Sequence, residues 1–305
     1  MMIVTLTISP AIDKSAVVDE LIPEKKLRCR DIRREPGGGG INVSKALKEL
    51  GETSHAVFAA GGANGAALAA MLTQAGLGFT AVPIAAESRE DLSVTDAQTG
   101  AQYRFVMPGA SLTGREEAHL LEAVWSHRPA LLVASGSLPP AADPGFYARL
   151  AREARARGIR LILDTSGEPL QQAVREGVFL LKPNLAELAH LAGLENLTDD
   201  DIVPAARDVI GRGGCDMLVV SMGGKGAWLV TAATDRFVPA PDVVVRSTVG
   251  AGDSMVAGMV HQLALGKTPE EMARFGVACG SAATMNAGTH LFNREDVFRL
   301  LDQNL

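Results

Sequence analysis

Residues 247–254, with the sequence STVGAGDS, place small residues and one carboxylate directly before an apolar run with helical spacing. Glycine lets backbone amides approach a ligand closely, and the free N–H groups at a helix start favour an anion. Asp253 would face that anion, so charge pairing does not explain its position. A general base that takes a proton from a hydroxyl attacking a phosphate does explain it, although an aspartate there also serves as a helix N-cap.

A second glycine-rich segment, residues 37–40, also enters an amphipathic run directly, with apolar residues at Val43, Ala46, Leu47 and Leu50. A flexible turn is the alternative, but a linker is usually followed by polar sequence rather than by such a run. The chain lacks the Gly-x-x-x-x-Gly-Lys-Ser/Thr loop. Two glycine-rich helix starts therefore predict phosphates that are held without that loop.

Composition narrows the function classes. The chain has 305 residues, 47% of them hydrophobic, and its net charge of −6 without a basic block argues against nucleic acid as a partner. Three separated cysteines suggest neither a disulfide framework nor a zinc site. No charge-free apolar run approaches the length of a membrane span, and the apolar start is too short for a signal peptide. We therefore expect a cytoplasmic protein without a membrane partner.

Predicted strands and helices alternate along most of the chain. Short aliphatic runs alternate with segments of helical period, which predicts an α/β fold with a mostly parallel sheet covered by helices on both faces. Ligands then collect at the carboxyl ends of the strands. The predicted strands are 3–8, 130–134, 160–163, 179–181 and 217–220, and the predicted helices are 114–126, 144–157, 169–175 and 199–212.

Two segments, residues 14–34 and 88–108, break this alternation. Within the second, residues 91–95 and 101–107 flank a polar stretch, which is typical of a β-hairpin. Together the segments predict a small antiparallel sheet that projects from the main domain. Because such a sheet would leave one apolar face exposed, we expect it to find a partner.

The glycine segments at 37–40 and 250–253 resemble the two signatures of the PfkB, or ribokinase-like, family of carbohydrate kinases. Residues 102–110, 135–140, 182–184 and 274–278 extend the resemblance, which runs from about residue 3 to about residue 300. It implies one ribokinase-like α/β domain over residues 1–305, built as a three-layer sandwich. The small antiparallel β sheet would be a lid over the sugar site, and paired lids would form a homodimer.

The resemblance also implies a reaction: ATP-dependent phosphorylation of fructose 6-phosphate at C1 to fructose 1,6-bisphosphate. Asp253 would be the base, and the amides of Gly250, Ala251 and Gly252 would form the anion hole. Fructose-1-phosphate kinase and tagatose-6-phosphate kinase are alternatives, although those relatives typically carry lysine where this chain has Gly39. A catalytically silent sugar-phosphate sensor is a further alternative, which the intact base and glycines disfavour.

The same resemblance implies which residues bind the sugar. Some would accept hydrogen bonds from hydroxyls on both sides of the ring, and others would bind the sugar phosphate. Taken alone, Asp13 is as compatible with a turn aspartate, and Arg89 with a solvated loop arginine. The sugar-binding residues are Asp13, Gly38, Gly39, Gly40, Asn42, Arg89 and Ser137.

ATP and two metal ions complete the expected site. Asn184 and Glu187 reproduce the family's Asn-x-x-Glu, which is linked there to Mg²⁺, and the same spacing also makes a helix capping box. The remaining nucleotide residues implied by the resemblance are Lys182, Ser221, Gly223, Gly224, Gly226, Val277 and Ser281. A K⁺ loop is implied at Ser247, Val249, Ala283, Asn286 and Gly288.

Overall fold

The computed structural model describes residues 1–140, 142–286, 288 and 290–303. The strands are β1 Ile3–Thr7, β2 Ala11–Val18, β3 Arg30–Gly37, β4 His55–Ala60, β5 Gly78–Pro83, β6 Arg89–Asp96, β7 Gln102–Phe105, β8 Leu131–Ser135, β9 Arg160–Asp164, β10 Val178–Leu181, β11 Cys215–Ser221, β12 Gly226–Thr231 and β13 Asp235–Pro239. The helices are α1 Gly39–Glu49, α2 Gly62–Gln74, α3 Gly114–Ser126, α4 Phe146–Ala156, α5 Gly167–Glu176, α6 Leu185–Ala192, α7 Ile202–Gly211, α8 Ala251–Ala264, α9 Pro269–Thr284 and α10 Arg294–Gln303.

A nine-stranded sheet runs through the described part of the chain in the order β13-β12-β11-β10-β9-β8-β1-β4-β5. The strands from β5 to β11 are parallel, and the antiparallel β12 and β13 extend one edge. Each of the five predicted strands is present and pairs in parallel with at least one neighbour, so the mostly parallel sheet is confirmed. The carboxyl ends of β1, β8, β9 and β10 consequently lie side by side.

Helices cover both faces of this sheet, because the buried strands are apolar on both sides. Val4 and Leu6 of β1 belong to a core shared with α3, α4, α5, α6 and α7. Ile3 points to the other face, where α1, α8, α9 and α10 pack, and α2 packs there beside α1. The predicted three-layer architecture is confirmed. Among the described residues, no helix is both long and apolar enough to cross a bilayer.

A second sheet of the described residues has the order β3-β2-β6-β7 and forms the small β sheet expected from segments 14–34 and 88–108. Its outer pairs, β2–β3 and β6–β7, are antiparallel hairpins, whereas the central pair β2–β6 is parallel. The reason is that each hairpin leaves the main domain separately. The first strands of the two hairpins therefore run outward in the same direction, side by side.

The two faces of this lid sheet differ in chemistry. Strand register places Asp13, Glu35 and Asp91 opposite one another, so their side chains share one face. The other face carries Ile32 and Tyr103, which are both exposed. By the same register this second face also carries Lys14, Arg34 and Glu90, which are joined by ion pairs, so its exposed apolar side chains lie beside charged groups.

Candidate active site

Asp253 lies in the first turn of α8, at the carboxyl ends of β8 and β9. The helix begins after Gly250, whose φ of 72° is in the left-handed region that glycine adopts freely. Two donors hold the carboxylate: Asn42 Nδ2 donates to Oδ2 at 3.0 Å, and Ser135 Oγ donates to Oδ1 at 3.0 Å. The side chain does not cap its own helix. The N-cap interpretation of Asp253 is therefore wrong.

The surroundings raise the pKa of Asp253 to about 6. Burial is the largest cause and the carboxylate of Asp164 adds to it, while the hydrogen bonds from Asn42 and Ser135 and the charge of Lys182 act in the opposite direction. A carboxylate with a pKa closer to neutrality is a stronger proton acceptor, yet it is still mostly ionised at pH 7. This side chain is thus suited to act as a base.

The first glycine run is tightly packed rather than flexible. Gly38 has a φ of 107° and precedes α1. A Cβ added at Gly39 would overlap Ser135, lying 2.6 Å from its carbonyl carbon, and one added at Gly40 would lie 2.5 Å from the carbonyl oxygen of Leu6. The absence of side chains therefore lets the N-terminus of α1 lie against the ends of β1 and β8, facing the N-terminus of α8.

A cavity of about 250 Å³ under the lid is lined by lid residues, among them Asp13, Arg89 and Arg104, and by Val249, which precedes α8. Burial raises the pKa of Asp13 to about 6, with the Asp91 carboxylate adding to the effect and Lys45 and Arg89 opposing it. This cavity brings together two of the predicted sugar residues, Asp13 and Arg89.

Arg89 already contacts other lid residues within this cavity. Its Nη1 donates to the carbonyl of Met107 at 2.9 Å and lies 3.5 Å from Asp91 Oδ2. Its Nε is buried and has no hydrogen-bond partner in the described part of the chain. Arg104 lines the same cavity and forms no hydrogen bond or ion pair within the described residues. Ser137, two residues beyond the end of β8, is exposed.

Lys182 follows β10 and is almost completely buried. Its Nζ lies 3.2 Å from Oδ1 of Asp164. Burial alone would lower the pKa of Lys182, but the Asp164 charge and hydrogen bond outweigh it and raise the pKa. Lys182 Nζ would also lie 3.6 Å from a Cβ placed on Gly252. The cation therefore lies beside the first turn of α8.

Asn184 and Glu187 form the capping box of α6. Asn184 Oδ1 accepts from the Glu187 amide at 2.9 Å, and Glu187 Oε2 accepts from the Asn184 amide at 2.9 Å. Burial and the nearby Asp164 raise the pKa of Glu187, against the Asn184 hydrogen bonds and Lys182. The capping interpretation is confirmed, and the same carboxyl group shares a charged neighbourhood with Asp164 and Lys182.

A cavity of about 260 Å³ lies on the opposite side of the residue 249–253 segment from the lid. Its lining contains most of the residues predicted for the nucleotide together with two of the anion-hole residues: Ser221, Gly223, Gly224, Gly226, Val277, Ser281, Ala251 and Gly252. Lys182 and Asn184 do not line it. A cavity of about 340 Å³ at the amino ends of β9 and β10 is lined by none of the predicted residues.

The predicted cation loop is tied together by its own hydrogen bonds. Ser247 Oγ donates to the Gly288 carbonyl at 2.9 Å and accepts from the Val249 amide at 3.2 Å. The amide of Asn286 donates to the Ala283 carbonyl at 3.2 Å. The sequence-predicted residues therefore cluster beside the start of α8, and the segment contributes carbonyl and hydroxyl oxygens, the donor type that a hard cation prefers.

Sequence reasoning missed four residues of this site: Ser135, Asp164, Lys45 and Arg104. Ser135 and Asp164 are the last residues of β8 and β9, one position beyond the predicted strand ends. Because ligands collect at the carboxyl ends of parallel strands, both residues could have been predicted from the sequence. Lys45 is linked electrostatically to Glu35, Asp13 and Asp253. No local pattern marks Lys45 or Arg104, since their roles depend on contacts distant in sequence.

Comparison with known proteins agrees with this geometry. The chain matches the family model described as pfkB family carbohydrate kinase over residues 2–295. It is 44% identical over 303 residues to the ATP-dependent 6-phosphofructokinase isozyme 2 of Mycobacterium tuberculosis, covering 98% of this chain and 89% of that protein. The isozyme 2 of Escherichia coli is 43% identical over 300 residues, covering 98% and 97% of the two chains.

Similarity extends to the three-dimensional structure. A crystal structure of phosphofructokinase-2 from Escherichia coli in complex with potassium superposes with a TM-score of 0.95 at 42% identity, over 99% of this chain and 98% of that one. The architecture described above, including the lid, is thus shared over nearly the whole length of both chains.

Proposed function

The chain belongs to the pfkB family of carbohydrate kinases, and from this we propose that it transfers the γ-phosphoryl group of ATP to the C1 hydroxyl of fructose 6-phosphate. The observation that carries the proposal is the position of Asp253 between two cavities. Val249 lines the cavity under the lid, and Ala251 and Gly252 line the cavity beside the glycine turn. A base at this junction can meet both a sugar and a nucleotide.

Asp253 accepts the proton of the C1 hydroxyl as the C1 oxygen bonds to the γ-phosphorus. The bond from that phosphorus to the β–γ bridging oxygen breaks, and ADP leaves with the electron pair. Negative charge builds on the transferred group, where the first-turn amides of α8 (Gly250, Ala251 and Gly252) stabilise it. The N-terminus of α1 faces the same region and adds a second favourable helix end.

Fructose 6-phosphate is proposed to enter the cavity under the lid with its phosphate far from Asp253. Arg89 and Arg104 both line that cavity, and Ser137 lies on the loop that follows β8. Asp13 accepts from the sugar hydroxyls, together with the backbone at Gly38, Gly39 and Gly40. Asn42 holds Asp253 in this structure, so its proposed sugar contact would be made in addition to that bond.

ATP is proposed to occupy the second cavity. The glycine turn Gly223, Gly224 and Gly226 allows close backbone approach, and Val277 provides an apolar wall for adenine beside Ser281. Lys182, buried beside Gly252, would contact the phosphates, and Asn184 lies at the neighbouring helix start.

Two metal ions fit the donors present. Glu187 and Asn184 would hold Mg²⁺ through its waters, and the ion would neutralise charge on the nucleotide phosphates. The carbonyl and hydroxyl oxygens beside the start of α8 suit K⁺. The relevant residues are Ser247, Val249, Ala283, Asn286 and Gly288, and their tight hydrogen bonding supports a defined loop at the start of α8.

A homodimer through the lid is proposed because the lid face opposite Asp13 exposes the large apolar side chains of Ile32 and Tyr103. The same face of a second copy would pack against it and cover these side chains. Location in the cytoplasm stays a prediction.

The test is release of ADP from Mg-ATP, measured by a coupled assay with a panel of sugar phosphates. We expect ADP release with fructose 6-phosphate and weaker release with tagatose 6-phosphate, which differs only at C4. A sugar-phosphate sensor would bind the sugars in a thermal-shift measurement and release no ADP with any of them, which would refute the proposal.

A further inference from the structure

We propose that Ser135 is a positioning residue for the base: its hydroxyl fixes the orientation of the Asp253 carboxylate and holds it in the proton-accepting form. This inference rests on the kinase function proposed above and extends it to a residue outside the two glycine signatures, to which the sequence analysis assigned no role. Ser135 acts through Asp253 and would make no contact with substrate in this role.

The geometry gives each carboxylate oxygen its own donor. Ser135 Oγ donates to Oδ1 and Asn42 Nδ2 donates to Oδ2, each at 3.0 Å. The donors come from separate elements, the end of β8 and the first turns of α1. Two donors on opposite oxygens restrict rotation of the carboxylate, so one lone pair is kept directed at an incoming hydroxyl.

The hydroxyl itself is confined. Ser135 is 1% exposed, and the glycine run of α1 passes directly over it. A Cβ at Gly39 would overlap the Ser135 hydroxyl and backbone. The hydroxyl therefore occupies the narrow space between α1 and Asp253. A role of Gly39 is to leave that space open, which links the first glycine run to the base.

The charged groups that face Asp253 are Asp164 at the end of β9, Lys182 after β10 and Lys45 of α1. Burial and Asp164 favour the protonated, inactive carboxyl group, whereas Lys182, Asn42 and Ser135 favour the carboxylate. A hydroxyl that can only donate to Asp253 while the carboxyl is ionised opposes its protonation. Loss of the hydroxyl should therefore move the acidic limb of activity to higher pH.

The experiment compares Ser135→Ala with the control Ser44→Ala in the full-length protein. Ser44 is also a buried serine at the junction of α1 and β1. Its hydroxyl bonds to Thr5 at 2.8 Å and Ser54 at 2.9 Å, and it does not contact Asp253. Kinetics with fructose 6-phosphate and Mg-ATP are measured from pH 5 to pH 9, together with the thermal unfolding midpoint.

For Ser135→Ala we expect the midpoint of the acidic limb of kcat/KM to move to higher pH by about half to one pH unit. At pH 7, kcat should be roughly tenfold lower and the KM for the sugar unchanged. Ser44→Ala should lower only the unfolding midpoint. An acidic limb of Ser135→Ala that coincides with the wild-type limb would overturn the proposal. If the alanine variant does not fold, Ser135→Cys, a weaker donor, is tested for the same shift and is decisive in the same way. Absence of ADP release by the wild-type protein would instead refute the kinase function.

Discussion

At the scale of single residues, the site keeps carboxylates in places that disfavour their charge. Asp253 and Asp13 both have their pKa values raised to about 6, in each case mainly by burial. Buried groups of this kind lower stability and are concentrated at functional sites. Each of them faces one of the two cavities or the junction between them, which is where proton transfer and sugar binding are proposed.

Asp253→Asn should fold normally and lose roughly 10²–10⁴ in kcat, because it removes the proton acceptor and keeps a side chain of the same shape. The measurement is steady-state ADP release at saturating substrates. A variant that stays nearly fully active would remove Asp253 from the mechanism.

The same variant should also change stability with pH. The folded-state pKa of about 6 lies above the ordinary aspartate value of 3.8. The stability contribution of the neutral carboxyl group is therefore present at low pH and is lost as pH rises through about 6. At pH 8 the unfolding midpoint of Asp253→Asn should be at least as high as that of the wild type, and the difference should shrink below pH 6. A midpoint difference that grows on acidification would contradict this.

Arg89→Ala should raise the KM for fructose 6-phosphate roughly ten- to a hundredfold while the KM for ATP changes little. The reason is that a charge-assisted contact to phosphate contributes about 1.5–3 kcal/mol. The control is Arg34→Ala, another lid arginine, whose guanidinium contacts Glu90 at 3.1 Å. Equal sugar KM values in the two variants would show that Arg89 does not bind the sugar phosphate and has only a structural role in the lid.

At the scale of elements, the site depends on two helix N-termini that are brought face to face. The α1 terminus can approach only because its first residues lack side chains, and the α8 terminus begins with a left-handed glycine. The backbone amides of both helix starts therefore lie close together, although the chain has no Gly-x-x-x-x-Gly-Lys-Ser/Thr phosphate-binding loop. The glycines thus act through packing as well as through flexibility.

Gly39→Ala should lower both activity and stability, because its Cβ would overlap Ser135 and push the α1 terminus away from β8. Gly114→Ala is the matched control. It also changes the first residue of a helix, and its added Cβ would meet no atom within 4 Å. We expect kcat/KM to fall at least about tenfold only in Gly39→Ala, since overpacking typically costs about 1–3 kcal/mol. Equal effects in both variants would contradict the close-packing argument.

The lid is the element proposed to pair two subunits. Ile32 is 66% exposed on the lid face opposite Asp13, and Ile32→Asp should shift the protein from dimer to monomer in sedimentation at micromolar concentration. Val244→Asp serves as the control, because Val244 is 79% exposed and lies outside the lid. A mass for Ile32→Asp that equals the wild-type dimer mass would exclude this face from the interface.

At the scale of the whole molecule, periodicity in the sequence predicted five of the nine main-sheet strands found in the described residues, because these five are short aliphatic runs. It did not predict β4, β5, β12 or β13. The meeting of the glycine segments at strand ends also followed from topology. The parallel pairing of β2 with β6 did not, because local pattern carries no information on how two separate hairpins associate. The bonds of Asp253 to Asn42 and Ser135 join residues 211 and 118 positions apart, so no local motif contains them.

Substrate choice distinguishes the proposed phosphorylation of fructose 6-phosphate from phosphorylation of fructose 1-phosphate. A phosphate on C6 would lie under the lid, where Arg89 and Arg104 line the cavity, while C1 faces Asp253. Gly39 offers only backbone where fructose-1-phosphate kinases typically have lysine, and no side chain fits there without moving Ser135.

The measurement is therefore kcat/KM for fructose 6-phosphate and for fructose 1-phosphate, each with saturating Mg-ATP. We predict a preference of at least about a hundredfold for fructose 6-phosphate, which equals roughly 2.7 kcal/mol of transition-state binding. A kcat/KM ratio that favours fructose 1-phosphate would contradict it.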